Sequence, residues 1–285
     1  MSGRVPVKRT AKLFIGGAFP RSESGRSYEV AGADGRPLGR AARASRKDLR
    51  DAVAAARTAQ LGWASLTAFN RGQILYRVAE LMEGRRAQFE VELGDAGATD
   101  PVRGVSAAID RWVWYAGWAD KIHQVSGTSN PVAGPYFNFT VPEPTGVVGI
   151  VAPQEQSLLG LVSRLAPAIV GGNTVVVLAS ETAPLPAVSL AEVLATSDVP
   201  GGVVNILTGQ VRELVPWLAG HMDVNAIDVT GVPDDLISDV ETLAAENVKR
   251  VHRSPHADPF STESQTPYEV TALMEMKTVW HPMGV

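Results

Sequence analysis

The chain has 285 residues, of which 45% are hydrophobic and 20% are charged. These proportions are typical of a soluble globular protein with one large core or two smaller ones. Its net charge is −4 and its basic residues are scattered, which argues against nucleic acid or an anionic membrane as a partner. It contains no cysteine, which excludes disulfides, thiolate metal sites and a cysteine nucleophile among these residues. No apolar run reaches the roughly 18 residues that suggest a membrane span, so we expect a cytoplasmic protein.

The first part of the chain is predicted to be an N-terminal arm followed by helices. Residues 1–44 contain short apolar pieces separated by Gly, Ser and Pro, which indicates small strands and turns. Residues 45–133 carry apolar side chains at helical spacing. A capping motif that begins at Ser45 starts the first helix, Thr67 starts the second, and a third covers roughly residues 105–125.

From residue 145 to residue 253 the pattern changes to short apolar runs that alternate with helical segments. The runs are rich in β-branched residues and nearly continuous, as expected of strands that are buried on both faces. They cover residues 146–152, 173–179, 203–207 and 224–229. The helical segments cover residues 158–170, 184–195, 211–219 and 233–247. Four such repeats predict a doubly wound parallel sheet of the α/β, Rossmann-like class, in which ligands bind at the carboxyl ends of the strands.

Two further segments are predicted to be strands that favour pairing between subunits. In residues 134–144, aromatic side chains that begin at Phe137 alternate with polar ones, which indicates a half-buried strand. In residues 267–285, a period of two over residues 270–280 predicts a terminal strand whose apolar edge favours pairing with another chain. Residues 254–266 are polar and rich in Pro, Ser and Thr, and are predicted to be a linker.

The sequence resembles that of aldehyde dehydrogenases. The run GVVGIVAPQEQSLLGLV and its continuation to residue 209 are similar, position for position, to the start of that family's dinucleotide-binding domain. The run ARTAQLGWASLTAFNRGQILYRVAELMEGRR resembles the family's N-terminal region, and residues 267–284 resemble its terminal β-strand. The runs LLGLVSRLAPAIVGGNTVVVLASE and SLAEVLATSDVPGG resemble most narrowly the second, degenerate domain of the family-16 aldehyde dehydrogenases. The resemblance implies a dinucleotide-type sheet, strands for oligomerisation and NAD(P)-dependent aldehyde oxidation.

Several positions depart from the family pattern for catalysis. The family's nucleophile is a cysteine thiolate, and no residue here inherits that role. The family's Pro-Trp-Asn is matched by Pro153, Gln154 and Glu155, and a carboxylate at position 155 would repel the oxyanion that the Asn stabilises. Residues 254–266 stand where the family's catalytic domain would lie. We therefore expect no catalytic residues and no catalytic domain.

The cofactor motifs are also incomplete. Leu178, Ala179, Ser180 and Glu181 stand at the positions of the family's Lys-Pro-Ser-Glu motif. Of the family's two ribose-binding residues, the Lys and the Glu, only the Glu is kept, as Glu181. Residues 229–233 replace the family's Phe-Thr-Gly-Ser turn, and Pro233 there removes a backbone donor from the expected anion site. The resemblance implies cofactor-binding positions at Pro153, Ser180, Glu181, Gly209 and Gly231. Because of these losses we expect no cofactor, with NAD or NADP as the alternative.

Two other groups of polar residues are weighed as candidate sites. Glu155 is a general base or a ligand for a cationic group, or else a solvated replacement in a site that has lost its function. His252, His256 and Asp258 have the spacing of metal ligands, but a polar segment without helical structure holds them, so we expect no metal.

Three functions follow as hypotheses. The first is a non-catalytic structural or regulatory subunit whose partner is a full-length aldehyde dehydrogenase or another copy of this chain. The second is an NAD(P)-dependent aldehyde oxidoreductase whose activity is completed by a partner's catalytic domain. The third is a nucleotide-sensing module that binds the cofactor without chemistry.

Overall fold

A small mixed sheet begins the fold of the described residues, which are 7–256 and 258–284 of a computed structural model. Its strands lie in the order β1-β3-β2. They are β1 (Thr10–Ala11), β2 (Ser27–Ala31) and β3 (Pro37–Ala42). The arm between the first two strands packs on the main sheet, because Phe14 and Ile206 exchange two backbone hydrogen bonds of 2.9 and 2.8 Å.

Five helices and two strands follow the arm. They are α1 (Arg46–Ser65), α2 (Ala68–Gly84), α3 (Arg86–Asp95), α4 (Pro101–Ala116), α5 (Ile122–Ser126), β4 (Thr128–Asn130) and β5 (Tyr136–Pro144). The predicted caps are confirmed: the Ser45 backbone N–H donates to Asp48 in a capping box, and the Thr67 side chain caps α2. The predicted third helix is instead two helices, because α4 ends at Gly117 and a turn precedes α5.

The central element is a five-stranded parallel sheet. Its elements are β6 (Val147–Val151), α6 (Leu159–Val170), β7 (Thr174–Leu178), α7 (Leu185–Thr196), β8 (Val204–Leu207), α8 (Val211–Ala219), β9 (Ala226–Asp228), α9 (Ile237–Ala245) and β10 (Arg250–His252). The strand order is β10-β9-β6-β7-β8, so the winding reverses between β6 and β9. This order confirms the predicted doubly wound α/β class. The predicted helix over 233–247 is shorter, because a 3-10 turn at Asp234–Leu236 precedes α9.

Helices cover both faces of the parallel sheet. Side chains of α2, α4, α6 and α7 form one apolar core with alternate residues of the strands, among them Val148, Ile150 and Val175. Side chains of α1, α8 and α9 form a second core with the other residues, including Val147 and Val176. The nearly continuous apolar strands thus have the composition that two-sided burial requires. None of the helices in the described part of the chain is both long and apolar enough to cross a membrane.

The segment after β10 is more ordered than the sequence predicts. A 3-10 turn at Thr262–Ser264, the short helix α10 (Tyr268–Thr271) and β11 (Met274–Pro282) follow one another. The prediction of a strand from residue 270 is therefore wrong at its start. The apolar residue Val270 is fully buried as part of a helical turn against α6, rather than as part of the strand.

The last strand completes a three-stranded antiparallel sheet of order β11-β5-β4. Pairing runs from Met274 opposite Pro144 to Pro282 opposite Tyr136. The burial of side chains in β5 differs from the simple expectation that apolar side chains face the core and polar ones face the solvent. Asn138 is 2% exposed and accepts a hydrogen bond of 3.1 Å from Asn130, whereas Phe137 is 48% exposed. The aromatic residues of this strand consequently lie on the surface.

Trp63 joins α1 to the core, and its replacement tests the packing of the helical layer. Its side chain is 1% exposed, and its indole N–H donates to the Ile169 carbonyl at 2.9 Å. We expect Trp63→Ala to lower the free energy of unfolding by about 3–5 kcal/mol, measured by urea denaturation. The control Leu61→Ala removes a side chain that is 77% exposed on the same helix, and should change stability by no more than about 0.5 kcal/mol. Equal effects of the two substitutions would contradict this packing.

Candidate functional site

A cavity lies at the carboxyl edge of the parallel sheet, where the winding reverses. It has a volume of about 510 Å3 and lies between the loop after β6, the loop after β9 and residues 253–264. We call it the switch-point cavity. Its polar lining includes Glu155, Arg164, Thr230, Ser254 and His256. Ligands of doubly wound sheets bind in this position, so the cavity is the candidate functional site.

A buried group of charges forms one wall of the switch-point cavity. Arg164 of α6 donates to Glu269 of α10 at 2.6 Å and lies 3.9 Å from Asp228 at the end of β9. His252 Nε2 contacts the same Glu269 oxygen, Oε2, at 2.7 Å, and the Ser254 hydroxyl donates to the other oxygen, Oε1, at 2.7 Å. The Arg164 and Glu269 side chains are 4% and 3% exposed. Because every member lies on a different segment, the group fastens α10 to the ends of the sheet.

The environment of Glu269 favours its charged form. Burial by itself would raise the pKa of Glu269, but the hydrogen bond to His252, the charge of Arg164 and the hydrogen bond from Ser254 outweigh burial. Together they lower the pKa of Glu269 to about 2. The carboxylate is therefore ionised at neutral pH and compensates the buried Arg164 guanidinium.

A second buried arginine holds the same segment from the other side. Arg111 of α4 donates to Ser163 at 2.7 Å, to the Pro259 carbonyl at 2.6 Å and to the Ser264 hydroxyl at 2.9 Å. Its side chain is 2% exposed. Residues 253–256 and 258–273 are thus an anchored cover over the carboxyl edge, so the described part of the predicted linker, 254–266, packs against the fold. Local composition misses this, because the arginines that anchor the segment lie far away in the sequence.

The turn after β9 keeps its own backbone donors occupied. The Thr230 N–H donates to Asp228 at 2.9 Å, and the Gly231 N–H donates to the Val151 carbonyl at 3.0 Å. The Val232 N–H donates to the Val229 carbonyl, and Pro233 has no N–H. A Cβ atom at position 231 would collide with the Ala152 carbonyl, so glycine is required there for close approach. The turn therefore offers no free backbone donor from residue 230 to residue 233.

A second, smaller cavity lies beside the N-terminus of α8. This α8 cavity has a volume of about 360 Å3 and is lined by Gln154, Glu181, Arg212 and Gly231, among others. The Glu181 carboxylate accepts from the Val211 N–H at 3.0 Å. Arg212 forms a two-point ion pair with Asp235 at 2.7 and 2.9 Å, which joins α8 to the turn before α9. The charged groups of this cavity are thus engaged with the protein itself.

The five predicted cofactor positions fall into two groups. Pro153, Glu181 and Gly231 line cavities at the carboxyl edge. Ser180 is 1% exposed and donates to the Gln154 carbonyl at 2.9 Å, so its hydroxyl supports the loop. Gly209 is buried beside the Ala44 backbone at a φ of 154°. The tertiary structure therefore brings three of the five positions to a cavity surface.

Glu155 lies between two cavities. It lines the switch-point cavity and also a cavity of about 510 Å3 beside α4, which includes Asp100, Arg103 and Phe260. Its side chain is exposed. Within residues 7–256 and 258–284, no hydrogen bond or ion pair engages its carboxylate. Both sequence hypotheses for this residue stay open.

The candidate metal ligands do not come together as a group. His252 contacts Glu269, whereas Asp258 accepts a hydrogen bond from the Phe260 backbone at 2.9 Å. Nowhere in the described ranges do three His, Cys, Asp or Glu side chains approach in a way that could hold a metal ion.

The anchoring residues Arg111, Arg164 and Glu269 were missed at the level of sequence. One signal was available for the first two. Arg164 is the only charged residue in the helix LGLVSRLAPAIV, and Arg111 lies in the aromatic run RWVW. A charge within an apolar helical run predicts a buried partner, although it does not say which residue that partner is.

Removing the charge of Glu269 tests the anchor. We expect Glu269→Gln to lower the free energy of unfolding by roughly 3–5 kcal/mol at neutral pH, because Arg164 would lose its closer buried counter-charge and keep only Asp228 at 3.9 Å. The pKa of Glu269 is lowered on folding, so its contribution is complete above about pH 4.5 and is lost as the pH falls toward about 2. The difference between wild type and variant in denaturant unfolding should therefore shrink over that range. The exposed Glu275→Gln is the control, and a difference that does not depend on pH would contradict the assignment.

Comparison with known proteins places this fold in a family. Residues 19–253 match the Aldehyde dehydrogenase family. Cytosolic 10-formyltetrahydrofolate dehydrogenase from Pongo abelii is 36% identical over 259 residues, which are 86% of this chain and 28% of that protein. Retinal dehydrogenase 2 from Homo sapiens is 35% identical over 248 residues, which are 84% of this chain and 47% of that protein. The chain spans less than half the length of these two relatives.

Solved structures agree with the sequence comparison. HpcC from Thermus thermophilus superposes with a TM-score of 0.81 and 31% identity, over 86% of this chain and 48% of that one. The NAD+ complex of an aldehyde dehydrogenase from Bacillus cereus superposes with a TM-score of 0.79 and 26% identity, over 86% of this chain and 50% of that one. The expectation that no cofactor binds gains no support from these comparisons. The family match and the shared fold show that this chain belongs to the aldehyde dehydrogenase family.

Proposed function

We propose that this chain is a non-catalytic subunit of an aldehyde dehydrogenase assembly, with a full-length aldehyde dehydrogenase or a second copy of itself as the partner. The observation that carries the proposal is the anchored cover of residues 253–256 and 258–273. It packs on the carboxyl edge of the sheet through Arg111, Arg164 and Glu269, and it contains no cysteine. A thiolate cannot reach this edge from within these residues.

The charge at position 155 supports the same proposal. Attack of a nucleophile on an aldehyde carbonyl places negative charge on the carbonyl oxygen, and catalysis requires donors directed at that oxygen. Glu155 presents a carboxylate at the mouth of the switch-point cavity instead. An acceptor group with negative charge would raise the energy of the oxyanion, so the site disfavours acyl chemistry.

The antiparallel sheet supports assembly. At the end of the sheet farthest from the core, Tyr136 and Trp280 lie on one face with their rings 5.8 Å apart, and Phe137 lies on the other. Trp280 is 58% exposed. In the described part of the chain, β11 pairs with β5 along one edge and with no strand along the other. Exposed aromatic side chains beside an unpaired strand edge are typical of a surface that another chain covers.

Cofactor binding without chemistry is the second candidate. The α8 cavity and the NAD+ complex of a relative favour it. The hydrogen-bonding groups at the site argue against strong cofactor binding. The turn at residues 230–233 offers no free backbone N–H, and the Glu181 carboxylate already accepts a hydrogen bond from α8. These residues do not fit a pyrophosphate in that turn, so we propose that any binding of NAD or NADP is weak.

Substitution on the exposed sheet tests the assembly. The chain should elute with a co-expressed full-length aldehyde dehydrogenase, or as a dimer or larger oligomer alone, in size-exclusion chromatography with light scattering. We expect Trp280→Lys to weaken that association at least about tenfold, because it places a charge in an aromatic contact. The control Phe69→Lys changes a similarly exposed apolar residue on α2. A wild-type chain that stays monomeric at high concentration and never elutes with a dehydrogenase would refute the proposal.

Calorimetry and an activity assay separate the three candidates. We expect NAD and NADP to bind the isolated chain with a Kd of about 1 mM or weaker, and aldehyde-dependent NADH formation to stay at background. Binding in the micromolar range without turnover would favour the nucleotide-sensing module. Turnover by the chain alone would overturn the non-catalytic proposal. Turnover with a partner that keeps its cysteine but has lost its own cofactor-binding residues would support an activity completed in trans, because this chain has no cysteine of its own.

A further inference from the structure

A large groove lies on the helical layer, away from the carboxyl-edge cavities. It has a volume of about 820 Å3 and lies between the first turn of α1, the end of α8 and the end of α9. It shares no lining residue with the switch-point cavity or the α8 cavity. Its apolar floor includes Trp217, Met222 and Leu243. Trp217 is 43% exposed and Met222 is 65% exposed, so the floor is open to a partner.

One cation of the groove is held in position without a carboxylate partner. The Arg46 guanidinium lies over the Trp217 ring, 3.9 Å from its centroid. Stacking occupies the flat face of a guanidinium and leaves the N–H donors around its edge available. Among the described residues, no carboxylate lies within ion-pair distance of Arg46, whereas Lys47 lies 3.8 Å from Glu23. The stacked guanidinium is therefore ready to bind an anionic group.

The cations around the groove differ in whether a carboxylate engages them. Arg46, Lys47 and Arg50 lie along one rim; Arg50 pairs with Asp51 at 3.1 Å, and Lys47 lies 3.8 Å from Glu23. The acidic residues of the groove are Glu23, which accepts from Ser45 at 2.9 Å, and Glu246. Burial lowers the pKa of His221, the remaining titratable group there, so it is neutral at pH 7. Arg46 is thus the cation of this rim that no carboxylate of the described residues engages, and it lies beside an apolar floor.

We propose that this groove docks an acidic peptide segment of a partner protein, with an apolar anchor side chain over Trp217 and Met222. A carboxylate of the segment pairs with the Arg46 guanidinium, whose charge complements it beside the apolar floor. The groove borders no strand edge, so side chains rather than strand pairing hold the segment. This docking surface is separate from the antiparallel sheet, so the two interactions are tested independently.

A pair of matched synthetic peptides tests the docking surface. One is an amphipathic peptide of about 15 residues, the length at which isolated helices become stable, with Leu and Phe at helical spacing and Glu elsewhere. The other has Lys in place of every Glu. Fluorescence anisotropy with the labelled peptides and the full chain measures both affinities at low and high salt. We expect the acidic peptide to bind, the basic peptide to bind at least about tenfold more weakly, and salt to weaken the acidic complex.

Substitutions in the groove identify where the peptide binds. Trp217→Ala and Arg46→Gln should each weaken binding of the acidic peptide at least about tenfold. The controls Phe69→Ala and Arg77→Gln change an exposed apolar residue and an exposed cation on α2, and should leave the affinity unchanged. Thermal unfolding confirms that all four variants are folded. Equal binding of the two peptides, no binding of the acidic peptide, or unchanged affinity in both groove variants would overturn the proposal.

Discussion

The ion pair between Arg164 and Glu269 governs how the end of the chain meets the rest of the molecule. Two charges with 4% and 3% exposure would be costly to bury apart, and each makes the burial of the other acceptable. The pair requires α10 to lie against α6, and this placement brings residues 253–264 over the carboxyl edge of the sheet. It also sets where β11 begins, since only two residues separate α10 from Met274. The start of β11 therefore depends on this contact, and the cover depends on it together with the hydrogen bonds of Arg111.

The contact between Arg164 and Glu269 determines what occupies the carboxyl edge of the sheet. In a doubly wound sheet this edge is the natural place for a ligand, because loops after adjacent strands diverge there. Here the space is divided between a cavity bounded by the chain's own cover and a smaller one whose Glu181 and Arg212 already have partners. The backbone donors of the turn after β9 are likewise used within the protein. The family fold is retained, while the Ser180 hydroxyl, the Glu181 carboxylate and the donors of this turn make contacts within the protein.

The exposed surface carries aromatic and cationic side chains that lie outside the cavities of the carboxyl edge. Exposed aromatic residues lie on the β11-β5-β4 sheet, and the Arg46 and Trp217 pair is exposed on the helical layer. Large apolar groups that remain exposed carry a free-energy cost that a partner surface can remove. These exposed groups are the observations behind the proposal that the chain is a component of an assembly.

Local patterns in the sequence determined four of the five strands of the parallel sheet, all except β10, together with the caps of α1 and α2 and the membership of the family. Each depends on neighbours within a few residues, and two-sided burial leaves a continuous apolar run that can be read directly. Tertiary structure alone decided that Asn138 is buried while Phe137 is exposed, and that Ser180 supports a loop rather than lining a cavity. It also decided the cover, since Arg164 and Glu269 are 105 positions apart and Arg111 and Ser264 are 153 apart. The composition near residue 260 is polar, and it would be polar whether the segment is solvated or anchored. A polar side chain can bind water or a buried partner, and only the tertiary structure brings that partner close.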